Sequence, residues 1–162
     1  MLKLKSISRE GIPRALEKVE RYRLLNEPEE AESICLDILQ IEPENQPALI
    51  ALLLSLTDQF DRKIPDASIQ ELLGRLRGEY EQAYYTGIIC ERKAKVYLKR
   101  HSRGTGLVTN WLREAMKWFE KAEAVRPPGN DDAVLRWNSC ARIIMERNIT
   151  ADAEASFEPM LE

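Results

Sequence analysis

Two prolines bracket one stretch of helical periodicity: Pro28 opens it, Pro43 closes it, and Ala31, Cys35 and Ile38 recur between them on one face. Proline suits the first turn of a helix, where its missing N–H is not needed, and it ends a helix by clashing with the preceding turn. A segment bounded in this way has little freedom in length. The small residue on its inner face implies a second backbone passing close by. The same periodicity runs along almost the whole chain, and no sustained apolar/polar alternation competes with it.

The spacing predicts helices over 13–25, 28–42, 46–59, 66–77, 79–100, 107–125 and 131–147. Asn45 is the expected N-cap of the third, Gly78 the stop of the fourth, and "HSRGTG" the break between the fifth and sixth. Residues 149–162 read as an acidic, flexible tail behind a single helical domain over 1–148. With 44% apolar and 31% charged residues in 162, the chain can bury a core and is expected to be soluble. A net charge of −3 argues against a molecule built to coat nucleic acid.

Helix pairs with short connections raise the question of a repeat, and a period of about 34 residues emerges. In the first copy Ala15, Val19 and Tyr22 fall on one helix and Ala31, Cys35, Ile38 and Pro43 on the next. A second copy holds Leu49, Leu52, Leu53 and Leu56, then Ile69, Leu73 and Leu76 after a short insertion around "DRKIPD"; it lacks the closing proline. A third holds Ala83, Gly87 and Cys90, then Ala115, Phe119, Ala122 and Pro127, with an insertion that lengthens both helices into a hairpin. Ala133, Trp137 and Cys140 mark a further first helix acting as a cap. This pattern resembles the tetratricopeptide repeat over residues 12–147. The resemblance implies an all-α, right-handed superhelical solenoid of antiparallel helix pairs, the third pair elongated.

It also implies a non-enzymatic protein–protein interaction module whose first helices line a concave groove. Carried over position by position, the groove set is Leu16, Ile50, Leu54, Tyr84, Ile88 and Asn138, with Glu20, Arg23, Asp58, Glu91, Arg92, Val134 and Arg142 beside them. Family members that clamp a C-terminal carboxylate use lysines, asparagines and an arginine there; the middle of this groove is apolar instead. The helix "QPALIALLLSLTDQ" sharpens the point. Leu49, Leu52, Leu53 and Leu56 account for its core face, yet Ile50, Ala51 and Leu54 cover the other side. A helix apolar nearly all round is covered on both faces. The cover is expected from neighbouring helices helped by Leu2, Leu4 and Ile7, or from a partner's peptide or helix. A further candidate is the chain's own Phe157, Met160 and Leu161, in the same molecule or in a homo-oligomer.

Chemistry has little to stand on. His101 is the single histidine and lies among Lys99, Arg100 and Arg103, with no carboxylate to orient it. Cys35, Cys90 and Cys140 are widely spaced, which points to reduced thiols in a cytoplasmic protein rather than a disulfide framework or a zinc site. No cofactor is expected. Lys93, Lys95, Lys99, Arg100 and Arg103 form the one basic run and would serve an adaptor for an acidic surface or, less favoured, nucleic acid. A small secretion chaperone of the same repeat type is the remaining alternative. No segment is long and apolar enough to insert in a membrane, and "MLKLKSISREG" lacks a signal peptide's apolar stretch.

Overall fold

The computed structural model describes residues 1–61, 64–100 and 106–155, without the side chains of 148–155. Every regular element among the described residues is helical. After a 3-10 turn at Arg9–Gly11 come α1 (Ile12–Leu24), α2 (Pro28–Ile41), α3 (Gln46–Thr57), α4 (Asp66–Arg75), α5 (Glu79–Arg100), α6 (Gly106–Ala124) and α7 (Asp132–Ala155). None is long and apolar enough to cross a membrane. Contacts gather the chain into two compact units, Met1–Gly78 and Glu79–Glu162, a division after Gly78 that the single expected domain did not contain.

In the first unit α2 packs against both α1 and α3, α3 packs on α4, and α1 also touches α3. The α1–α2 turn is short, so those helices run antiparallel. It closes on Asn26, which takes the left-handed conformation at φ 59°. Asn26 N–H donates to the Arg23 carbonyl and Glu27 N–H to the Tyr22 carbonyl, so the last orphan carbonyls of α1 are satisfied before Pro28 starts α2. Val19, Ala31, Cys35 and Ile38 are fully buried between these helices and α3. Asn45 caps α3 as expected: its Oδ1 accepts from Ala48 N–H at 2.9 Å.

Helix α3 stops at Thr57, two residues short of its expected end, and two further helix ends differ from their expected places. The fourth helix stops at Arg75 instead of Arg77 because Gln46 competes for its backbone. Gln46 Oε1 accepts from Arg77 N–H at 2.8 Å, while Arg75 donates to the Pro43 carbonyl at 2.6 Å. Gly78, at φ 93°, then turns the chain. The seventh helix runs on to Ala155, so residues 149–155 are its last turns rather than tail. Alanine and glutamate in "TADAEA" are strong helix formers, and their small, acidic character is what read as a tail. Phe157, Met160 and Leu161 lie outside the described residues.

In the second unit α6 packs against both α5 and α7. Gly87 explains how closely α5 approaches. A Cβ there would come within 2.6 Å of the Phe119 ring of α6, and Phe119 is itself fully buried. Ala115, Ala122, Ala133 and Cys140 are likewise buried without remainder. The small residues therefore sit where helices meet.

Candidate functional site

The expected groove residues fall on both units, and each unit presents its share on identifiable helix faces. In the first, Leu16 on α1 and Ile50 and Leu54 on α3 are all half-buried. The opposite side of α3, with Leu49, Leu52, Leu53 and Leu56, is buried. Arg23 of α1 is tied to the C-cap of α3: its Nε donates to Asp58 Oδ2 at 2.9 Å. Both partners of this ion pair belong to the residues expected along the groove. Leu2 and Leu4 do not cover the face: both are exposed, and only Ile7 of that segment is half-buried. The segment 1–8 forms no regular element, so nothing in its local structure holds the leucines against α1 or α3.

In the second unit Tyr84 is half-buried and sits at the centre of an aromatic cluster. It stacks on Tyr80 with centroids 5.6 Å apart, meets Tyr85 edge-on at 5.0 Å, and leans on Phe119 at 5.8 Å. One helical step along α5, Ile88 departs from expectation. It is 2% exposed and belongs to the core, so it offers no contact surface. The sequence could not separate it from Tyr84, since both positions project from the same stripe of α5.

Glu91 departs further. It was expected beside the groove and is instead fully buried. A buried carboxylate must be paired to remain charged. Lys95 Nζ lies 2.7 Å from its Oε1, and Arg136 of α7 lies 3.5 Å from its Oε2. Burial works against the Arg136 charge, but Glu91 and a hydrogen bond to Tyr84 outweigh it and raise the guanidinium pKa. Tyr84, Glu91, Lys95 and Arg136 thus form one polar cluster joining α5 to α7. Its signal in the sequence was weak, because Arg136 is distant along the chain and no spacing rule links it to Glu91. Asn138, on α7, is half-buried.

Two of the five residues of the basic run are engaged inside the same unit. Lys95 pairs with Glu91, and Lys93 Nζ lies 4.9 Å from the centre of the Trp111 ring, a cation–π contact. Lys99 and Arg100 are exposed at the end of α5. Arg103 and His101 lie outside the described residues. The thiols are all buried and unpaired with one another. Burial pushes Cys35 up to about 12, Cys90 to about 11 and Cys140 to about 12, so none is a reactive thiolate near neutrality. Among the described residues no group of ligating side chains could hold a metal ion.

Compared with known families, characterised proteins and solved structures, the chain matches none.

Proposed function

We propose that the chain is a tetratricopeptide-type repeat solenoid that acts as a non-enzymatic interaction module. It binds a peptide or helix of another protein through the inner faces of its first helices. The observation that carries the reading is the α1–α3 face. Leu16 of α1 and Ile50 and Leu54 of α3 stay half-exposed there, and the other side of α3 is already packed. Apolar side chains in that position are most useful to a partner's apolar residues. The Arg23–Asp58 pair beside them can orient a polar group of the ligand at little rearrangement. For the second unit the proposal keeps Tyr84 and Asn138, which are half-buried, and drops Ile88, which is buried.

Support for the competing reading, an adaptor using the basic run, is reduced by the internal pairing of Lys93 and Lys95. Affinity capture from native cells separates the two. The partner is expected to be lost with Leu54→Arg, whose helical content should be unchanged, and kept with Lys99→Glu/Arg100→Glu. Undiminished capture by Leu54→Arg removes the groove reading, and loss through the charge reversal installs the other.

A further inference from the structure

Helix α7 has an outward face as ordered as its inward one. Inward, Ala133, Cys140 and Ile144 are buried and Trp137 is half-buried, its Nε1 donating to Glu120 of α6 at 3.0 Å. On the opposite side Leu135, Asn138, Arg142 and Met145 follow one another at steps of three, four and three residues, which holds them in one narrow stripe. Leu135 is 63% and Met145 60% exposed, Arg142 is exposed, and Asn138 is half-buried. The stripe therefore has apolar residues at both ends and an amide and a guanidinium between them.

We propose that this face is a self-association surface on which α7 packs antiparallel against α7 of a second copy. A two-fold axis matches residues equidistant from it along two antiparallel helices. With the axis level with Cys140, Leu135 faces the partner's Met145, and Asn138 faces the partner's Arg142. Each contact occurs twice. The apolar ends cover each other, and the Arg142 guanidinium donates to Oδ1 of the facing Asn138. A parallel pairing would instead set Arg142 against Arg142, a like-charge contact that disfavours it. The stripe is thus complementary to itself in one orientation and not in the other. The contact is small, so the dimer is weak and exchanges rapidly.

The inference does not rest on the groove reading and shares with it Asn138 and Arg142, which the resemblance sets on and beside the groove. Its test uses the full chain. Sedimentation equilibrium should show a mass rising with concentration from 18.7 kDa toward twice that value. The Leu135→Glu/Met145→Glu variant should stay monomeric with an unchanged far-UV spectrum and should still capture the groove partner. Register is read by cysteine cross-linking. A mixture of Asn138→Cys and Arg142→Cys chains should form the mixed disulfide faster than either variant forms its own. A monomer at every concentration, a dimer undiminished in the double-glutamate variant, or self-disulfides forming as fast as the mixed one would each overturn the proposal.

Discussion

Gly87 shows how much one missing side chain can decide. Its α5 backbone lies against Phe119 so closely that a Cβ would sit 2.6 Å from the ring. The ring is fully buried, so any shift must displace its packed neighbours. Gly87→Ala is therefore expected to lower stability by about 1–3 kcal/mol through overpacking, although alanine is the better helix former by about 1 kcal/mol. Urea denaturation checks this, and a double variant with Phe119→Leu should lose less than the two single changes summed. The glycine was legible as a close-approach position from the place that the resemblance assigns it. Glu91 was not legible as buried, because a glutamate on an exposed stripe and one paired across helices look alike until Arg136 is seen beside it.

Elements were legible almost to the residue where local chemistry sets their ends. Pro28 begins α2 and Asn45 caps α3 because the groups that start these helices lie next to them in sequence. The cap can be weighed directly. Asn45→Ala leaves the Ala48 N–H without its acceptor, and an expected loss of about 1 kcal/mol should appear in thermal or urea unfolding. Asn45→Asp should largely preserve stability. Two of the misplaced ends are decided by a distant partner or by propensity alone. Gln46 takes the Arg77 N–H and shortens α4, whereas helix-forming residues carry α7 past Arg147 to Ala155.

For the whole molecule, the thiols supply a global readout of burial. Cys35 belongs to the first unit, Cys90 and Cys140 to the second, and each is held neutral well above the ordinary thiol value of 9.0 by burial. Once pH passes 9.0 the unfolded chain loses thiol protons that the folded chain keeps until about 11–12, so the native state binds more protons. Stability must then fall as pH rises, by about 1.4 kcal/mol per pH unit for each thiol. Below 9.0 both states are protonated and the thiols contribute no slope. Urea titrations on either side of that value check the sign, and Cys35→Ala should make the alkaline decline shallower.

The order and type of the helices, and the small residues at their crossings, were determined by sequence alone. They depend on periodicity, capping and sterics within a few residues or one pair of neighbouring helices. The division after Gly78, the burial of Ile88 and Glu91, and the engagement of Lys93 and Lys95 were decided only in three dimensions. Those depend on which side chain a neighbouring helix delivers. Such a pairing obeys no spacing along the chain, because Arg136 meets Glu91 and Trp111 meets Lys93 only after the helices have packed.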